Sequence, residues 1–429
     1  MPAIKLADCF VQGSRINYQY SIPAELKKYF SRTRLFADYG DADISKVPQS
    51  IAAIPFVANM VPVSWFIPFD VAVPELDRNF YRSMLGIKDA FANQYPQMKR
   101  SESKLLVDRL VDNDSSAQAT ALMFSGGVDS FASFLMHRHE PLHLITVHGA
   151  DIRLHDQAQF DILQSSISSN EWTNDFPHHV VRSNIRDFYS HRIPSLFEDL
   201  DWWGRVQHGL SLTSLAAPLS FVYGFEKLLL ASSTTGDFKL PWGSSPETDN
   251  LVRWASLTTR HDGFEMKRSQ KVDMIVHETK QAGKAVHLKV CYSNRHNFLN
   301  CSHCDKCLRT ILQLICSGAD PNQYGFDADP SVYNEIKREL KKGSTSAPVQ
   351  YMWNDLADTV EHTTRPFIFN DRNLEAEELR EIVALIRNNN KLPVAEANAV
   401  VKFRRRLQLR YPSLLQKAVS VYRKFVRNQ

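Results

Sequence analysis

The residue types that bind phosphate come together at residues 121–130. An apolar run, 121–124, ends in Ser-Gly-Gly-Val-Asp-Ser, and apolar residues at helical spacing follow it. Two adjacent glycines let the backbone approach a ligand with no Cβ in the way, and the N–H groups at a helix start favour an anion. The glycine spacing differs from that of a Walker loop, and no lysine follows the second glycine. The segment therefore predicts a cradle for phosphate or pyrophosphate between a strand and a helix.

Four of the six cysteines form a second group, which has metal-ligand spacing. They are Cys291, Cys301, Cys304 and Cys307. Four thiolates give the closed tetrahedral shell of a structural Zn²⁺ site, and an iron–sulfur cluster, which also accepts four thiolates, is the alternative. His303 lies between two better ligands, and we expect it to be exposed. Cys9 and Cys316 are expected to be ordinary thiols, and this cysteine usage is typical of a reducing compartment.

Composition and charge are those of a globular protein with a basic end. The 429 residues suit two or three domains, and no apolar run reaches the roughly 18 to 20 residues of a membrane span. The N-terminus lacks the basic start and apolar stretch of a secretory signal, so we expect a cytoplasmic protein with no membrane partner. The net charge is +4, but residues 397–429 hold nine Lys or Arg and no acid, which leaves about −5 elsewhere. We expect this basic tail to contact the acidic body or an acidic protein partner, with RNA as the alternative.

The pattern along the chain predicts an α/β protein in three parts. Residues 1–115 are a mixed region of unknown role, in which 54–74 is dense in Pro and aromatic residues and is expected to be extended. Residues 116–325 alternate strands and helices, which predicts a parallel sheet of about five strands with helices on both faces. The strand candidates are 120–124, 142–147, 179–181, 228–231 and 287–290, and the helix candidates are 155–168, 207–223 and 270–281. Residues 326–429 are expected to be a helical extension that ends in the basic tail.

With these segments in hand, the chain resembles the PP-loop ATP pyrophosphatases, and within them the 7-cyano-7-deazaguanine synthases of the QueC family. The resemblance covers about 117–325 and rests on the Ser-Gly-Gly-Val-Asp-Ser motif, Glu247-Thr248-Asp249, Lys271 and the four cysteines, with a weaker match at 210–217. It implies an adenine nucleotide α-hydrolase-like PP-loop fold. It also implies that ATP with Mg²⁺ adenylates a substrate carboxylate, releasing AMP and pyrophosphate in a ligase reaction that forms a carbon–nitrogen bond. Ammonia captures the acyl-adenylate to give an amide, and a second adenylation converts the amide to a nitrile.

The resemblance and the residue types together give a set of candidate site residues. For ATP they are Ser125, Gly126, Gly127, Val128, Asp129, Ser130, Val147 and His148. Asp129, Lys271 and His208 are the catalytic candidates, Asp129 as a Mg²⁺ contact or helix cap and Lys271 as a phosphate contact. His208 is expected to contact phosphate or to transfer a proton. Glu247, Thr248 and Asp249 are the substrate candidates, because carboxylates accept hydrogen bonds from the N–H edge of a guanine-like ring. The cysteine group is the zinc candidate.

The chain departs from the family pattern on the acceptor side of the site. Gln207-His208-Gly209 stands where the family has Gly-Arg-Asn, and His148-Gly-Ala-Asp stands where it has Asp-Tyr-Gly-Gln. The two flanking regions resemble instead the longer QueC-like proteins of bacterial antiphage operons, the QatC type of the Qat system. That likeness implies modification of a partner encoded nearby, with deazaguanine-type chemistry. The alternatives are 7-cyano-7-deazaguanine synthesis for queuosine, tRNA thiolation by a PP-loop enzyme, and a non-catalytic scaffold that binds a partner.

Overall fold

The structure is a computed structural model of the chain. It describes residues 1–389 except 97, 99–100, 115–117, 198–201, 239–240, 292–297, 344–346, 364–368 and 370. The basic tail, 397–429, lies outside the described residues, so its predicted contacts stay predictions. Among the helices of the described part, none combines the length and the apolar character needed to cross a bilayer.

The described strands form one mixed, mostly parallel sheet of eleven. They are β1 (Ala3–Gln12), β2 (Arg15–Ser21), β3 (Phe36–Asp38), β4 (Asp70–Asp77), β5 (Leu105–Val111), β6 (Ala119–Met123), β7 (Leu142–His148), β8 (His178–Ser183), β9 (Phe225–Ala231), β10 (Arg253–Trp254) and β11 (Leu257–Asp262). Their order is β10-β11-β9-β6-β7-β8-β3-β2-β1-β4-β5. The prediction of about five strands is therefore wrong for the sheet as a whole. The reason is that β3 pairs with β8, with Ala37 opposite Ser183, and so joins the N-terminal strands to the same sheet.

The central part of the sheet holds five neighbouring parallel strands, β11-β9-β6-β7-β8. Four of them were predicted, but the candidate at 287–290 is not a strand, and β11 is the fifth. The backbone of 287–290 forms hydrogen bonds outside the sheet. The Leu288 N–H donates to the Tyr324 carbonyl oxygen (3.0 Å), and the Lys289 N–H donates to the Gly126 carbonyl oxygen (2.7 Å). The segment therefore packs on the 125–130 loop instead of joining the sheet.

Thirteen α-helices surround this sheet within the described residues. They are α1 (Gln49–Ala52), α2 (Ile54–Ser64), α3 (Arg78–Gln94), α4 (Val128–His137), α5 (Gln157–Ser168), α6 (His208–Ser214), α7 (Ala217–Tyr223), α8 (Pro246–Asp249), α9 (Arg268–Ala282), α10 (Asp305–Cys316), α11 (Val332–Lys341), α12 (Ala347–His362) and α13 (Arg372–Asn389). A π-helical turn, Trp203–Gln207, leads into α6. The prediction of extended structure at 54–74 is wrong for α2, whose residues are all buried. Pro55 sits in its first turn, where the missing N–H costs nothing, and a helix that is apolar all round belongs in a core.

The helices pack on both faces of the sheet, as predicted. Along β6, Ala121 and Met123 belong to one buried apolar cluster and Leu122 to the other, so successive side chains point to opposite faces. The first cluster includes α2, α6 and α7, and the second includes α4, α9 and α10. The division into parts at residues 115 and 325 stays a prediction.

Candidate functional site

A cavity of about 410 Å³ opens where β6, β7 and β9 end, and residues of the 125–130 loop line it. Its size falls within the range of small-molecule sites, and the carboxyl ends of parallel strands are where ligands bind in open α/β sheets. Six of the predicted ATP residues line the cavity. They are Ser125, Gly127, Val128, Asp129, Ser130 and Val147.

The loop has the geometry of an anion cradle. Gly126 has φ +70°, which a residue with a side chain rarely adopts. Gly127 caps α4, and a Cβ there would stand 3.0 Å from the carbonyl oxygen of Lys289. Ser130 fixes the turn from inside, since its Oγ accepts a hydrogen bond from the Ser125 N–H (3.3 Å) and lies 3.2 Å from the Ser125 Oγ. The first N–H groups of α4 therefore start at the cavity, where they favour a bound anion.

Asp129, in the first turn of α4, is a carboxylate that contacts two cationic side chains. Its Oδ2 accepts from Arg268 Nη1 at 2.8 Å, and Lys271 Nζ lies 3.7 Å from Oδ1. Burial works against its ionisation, but the charges of Arg268, Lys271 and Lys306 outweigh burial and hold the pKa of Asp129 below its ordinary value. Lys271 is buried and donates to the Ser232 carbonyl oxygen (2.6 Å), and burial lowers its pKa. Lys271 thus reaches Asp129 but does not line the cavity.

Four cationic side chains line the cavity: Arg186, Arg268, Lys289 and Lys306. Two carboxylates, Asp129 and Asp151, oppose them among the described lining residues. None of the four cations was predicted from the sequence as part of the ATP site. Two of them had a usable signal, because Lys289 is two residues before Cys291 and Lys306 lies between two predicted metal ligands. Excess positive charge beside a helix start is the environment that a triphosphate requires.

His208 also lines the cavity. Its ring meets Trp203 edge-on at 5.1 Å, and its Nδ1 is buried with no hydrogen-bond partner in the described part of the chain. Burial lowers the pKa of His208, and the charges of Asp151 and Asp249 only partly oppose that shift. The preceding Gln207 is a structural anchor, since its Nε2 donates to Asn59 Oδ1 at 2.8 Å. The N-terminal helix α2 therefore fixes the segment that carries His208.

Two predicted ATP residues, Gly126 and His148, do not line the cavity. Gly126 supplies the turn described above. His148 is buried and stacks on Phe160 with ring centroids 4.1 Å apart, and its Nε2 lies 3.1 Å from the Arg153 carbonyl oxygen. Burial, the largest of several influences, lowers its pKa. His148 therefore packs in the protein interior, away from the loop.

The predicted substrate residues lie behind the wall that carries His208. Glu247 is exposed, and Thr248 closes the first turn of α8 by accepting from the Ser245 N–H (3.2 Å). Asp249 is buried and its Oδ2 lies 2.8 Å from His261 Nδ1. A side chain at Gly209 would clash with Asp249, so α6 packs directly on this carboxylate. None of the three lines the described cavity.

The four predicted ligand cysteines converge, with their sulfur atoms within 4.8 Å of one another. Three separations are 3.8 Å (Cys291–Cys304), 3.9 Å (Cys301–Cys307) and 3.4 Å (Cys304–Cys307). A tetrahedral ion with Zn–S bonds of about 2.3 Å would place its sulfurs about 3.8 Å apart. Burial and the neighbouring thiols raise the pKa of Cys301 to about 11, so a cation is needed to keep the group as thiolates. The cluster can therefore bind a metal ion such as zinc.

The predictions for His303, Cys9 and Cys316 match the structure. His303 is 70% exposed and contacts Glu335, outside the cluster. Cys9 and Cys316 are free and buried in the apolar core.

Asn300 was not predicted as a site residue. It directly precedes Cys301, and its side chain binds the backbone of the segment that carries Cys291. Its side-chain oxygen accepts from the N–H groups of Val290 (2.9 Å) and Cys291 (3.1 Å). Its amide nitrogen donates to the carbonyl oxygens of Leu288 (2.7 Å) and Gly325 (2.9 Å). One buried side chain thus makes four hydrogen bonds around the cysteine cluster.

Asn300→Ala is expected to destabilise the protein by about 2–4 kcal/mol, because it leaves several buried backbone groups without partners. Urea denaturation, with the slope and midpoint compared between variants, measures the loss. Asn93→Ala, at an exposed position of α3, is the matched control and should change stability by less than about 0.5 kcal/mol. Equal stability of both variants would contradict the role given to Asn300.

Comparison with known proteins yields no match among family models, curated proteins or solved structures. The chemistry open to the site follows from its own groups. They are a glycine turn at a helix start, four lining cations, a carboxylate between two cations, and an adjacent cluster of four cysteines that can hold a metal ion. These groups suit a polyphosphate ligand.

Proposed function

We propose that the chain binds ATP with its phosphates on the 125–130 loop and adenylates a carboxylate of deazaguanine type, releasing pyrophosphate. The main support for this function is the composition of the cavity. A glycine turn, the start of α4 and four cations meet there at the carboxyl ends of three parallel strands. A carboxylate substrate would occupy the remaining part of the same cavity.

The proposed reaction transfers AMP to the substrate carboxylate. A carboxylate oxygen attacks the α-phosphorus, and the bond between that phosphorus and the pyrophosphate oxygen breaks. Loop N–H groups together with Arg268, Lys289 and Lys306 stabilise the charge that collects on the departing pyrophosphate. Asp129 keeps Arg268 in place through their 2.8 Å contact.

Asp129 also fits a Mg²⁺ ion bound with the nucleotide. Its Oδ1 is buried and accepts no hydrogen bond of ordinary length from the described residues. Protein sites commonly hold Mg²⁺ with one or two carboxylates plus substrate phosphates, and the bound ion neutralises phosphate charge. Arg268 and Lys271 balance Asp129 when no ion is bound.

Trp203, His208 and Leu212 also line the cavity, and the Arg186 guanidinium stands 4.7 Å from the Trp203 ring centroid. A flat heterocycle suits such a wall. The buried Nδ1 of His208 has no hydrogen-bond partner among the described residues, so it can accept a proton or hydrogen bond from the nitrogen nucleophile that captures the acyl-adenylate.

We propose Zn²⁺ as the ion of the cysteine cluster. The sulfur separations of 3.4–3.9 Å suit one tetrahedral ion, whereas a multi-iron cluster must fit several metal atoms between its thiolates. The tRNA-thiolation alternative would require such a cluster. The short separations between the sulfur atoms therefore favour the ligase hypothesis.

The biological setting of the proposal follows from the resemblance stated above. We propose that the chain acts in the cytoplasm on a partner encoded nearby, in antiphage defence, and that the basic tail or the flanking regions contact that partner or RNA. A free synthase that makes 7-cyano-7-deazaguanine shares the adenylation step and differs only in what captures the acyl group.

ATP–pyrophosphate exchange tests the adenylation step, because label from pyrophosphate enters ATP only if the acyl-adenylate forms reversibly. We expect exchange that depends on 7-carboxy-7-deazaguanine and on Mg²⁺. No exchange with this carboxylate, together with no binding of an ATP analogue, would support the scaffold alternative. An assay with benzoate in place of the deazaguanine acid controls for unspecific carboxylate activation.

A further inference from the structure

We propose that the metal-binding cysteine cluster and the nucleotide cavity are energetically coupled, so that a metal on the four sulfurs tightens ATP binding and ATP tightens metal binding. The proposal rests on the proposed function for the identity of the nucleotide. Its structural basis is that the segments which supply the cysteines also supply two of the four cations that line the cavity.

The first link is the segment that leads into Cys291. The Lys289 N–H donates to the Gly126 carbonyl oxygen at 2.7 Å. The Lys289 carbonyl oxygen lies so close to Gly127 that a Cβ added to Gly127 would be 3.0 Å from it. Lys289, Val290 and Cys291 all line the cavity. The segment 289–291, which supplies the ligand Cys291, therefore lines the cavity and contacts the 125–130 loop.

The side chain of Lys289 is oriented by a ligand residue. Its Nζ donates to the carbonyl oxygen of Cys291 at 2.5 Å, and Asn300 holds the N–H of the same cysteine. A shift of Cys291 would therefore move the acceptor that positions this ammonium group at the cavity.

The second link is Lys306, which lies between Cys304 and Cys307 in the first turn of α10. It lines the cavity and is close enough to Asp129 for its charge to favour the ionised carboxylate. Because an ion on the cluster would be bound by both neighbouring cysteines, it would hold Lys306 at the cavity.

Coupling of this kind is reciprocal, because each ligand changes the affinity for the other by the same factor. With two phosphate-binding lysines placed by the cluster, we expect a factor of at least about five, within the range of about 5–150 for coupled sites. The ion itself need not touch the nucleotide.

Two binding measurements test the coupling without relying on turnover. The first is calorimetric titration of α,β-methylene-ATP with Mg²⁺ into zinc-loaded protein and into protein stripped of metal. The second is competition for zinc by a chromophoric chelator, with and without the analogue. We expect the analogue to bind at least about fivefold more tightly to the loaded form, and the zinc dissociation constant to fall by the same factor when the analogue is present.

Each outcome decides between the proposals. Equal affinity of the analogue for both forms would overturn the coupling and leave the ATP site intact. No binding to either form would overturn both the coupling and the proposed function.

Lys289→Ala/Lys306→Ala keeps all four cysteines and is tested in the zinc-loaded state, so the test survives even if the stripped protein unfolds. In this variant we expect zinc still to bind, and we expect the analogue to change the zinc dissociation constant by less than about twofold. Lys46→Ala, at an exposed site in the N-terminal region, is the matched control and should keep the full response. A full response in the double variant would show that the two lysines do not carry the coupling.

Discussion

Asp129→Asn is expected to lower carboxylate-dependent pyrophosphate release by at least about 100-fold. The variant keeps the shape of the side chain but removes the charge that holds Arg268 at 2.8 Å and balances the buried Lys271. It also removes the acidic side chain in the first turn of α4, after the 125–130 loop begins. Pyrophosphate release, measured by a coupled assay under saturating ATP, gives the size of the loss.

Folding and chemistry can be separated in this experiment. Removing one partner of a buried ion pair costs about 3–5 kcal/mol, so thermal unfolding is measured alongside activity. Asp175→Asn, at an exposed position, is the control and should keep full activity. A folded Asp129→Asn protein with more than about a tenth of the original rate would contradict the role given to this carboxylate.

Cys307→Ser is expected to abolish the zinc binding proposed for the cysteine cluster and to lower stability by several kcal/mol. Cys307 is fully buried, and its sulfur lies 3.4 Å from that of Cys304. Structural zinc contributes about 10–16 kcal/mol of apparent binding free energy in small zinc domains, so losing one of four thiolates removes a large stabilising term. Plasma emission spectroscopy of the purified protein measures the metal, and thermal unfolding measures the stability.

Cys316→Ala is the matched control for this substitution. Cys316 is buried on the same helix, α10, but lies outside the cluster. We expect the control to keep one zinc per chain and to lose only the packing of a small side chain. A brown protein containing iron and sulfide would contradict the zinc assignment and favour the thiolation alternative.

The sequence predicted the local features of this site well. Gly126 and Gly127 were identifiable because their conformational role depends on a few adjacent residues, and the cysteines because metal-ligand spacing is itself a local pattern. The strands β6, β7 and β9 were predicted because each contains a run of mostly buried apolar residues, and β8 was predicted from the short apolar pair at its centre.

Features that depend on distant contacts were missed. Residues 257–262 are largely polar and form β11 because they pair with β9. The apolar segment 287–290 has strand-like composition but gives its backbone hydrogen bonds to Gly126 and Tyr324. Nothing near Arg268 in sequence shows that it faces Asp129, 139 residues away. Such placements follow from tertiary packing, which overrides local propensity.

Transfer of oxygen from substrate to AMP is the most direct test of the central claim, that this cavity adenylates a carboxylate. If a carboxylate oxygen attacks the α-phosphorus and a nitrogen nucleophile then displaces AMP from the acyl carbon, that oxygen leaves with AMP. With 7-carboxy-7-deazaguanine labelled with ¹⁸O in its carboxylate, ATP, Mg²⁺ and ammonia, mass spectrometry should find one labelled oxygen in AMP for each amide formed. AMP without label, or products that are ADP and phosphate, would contradict the account.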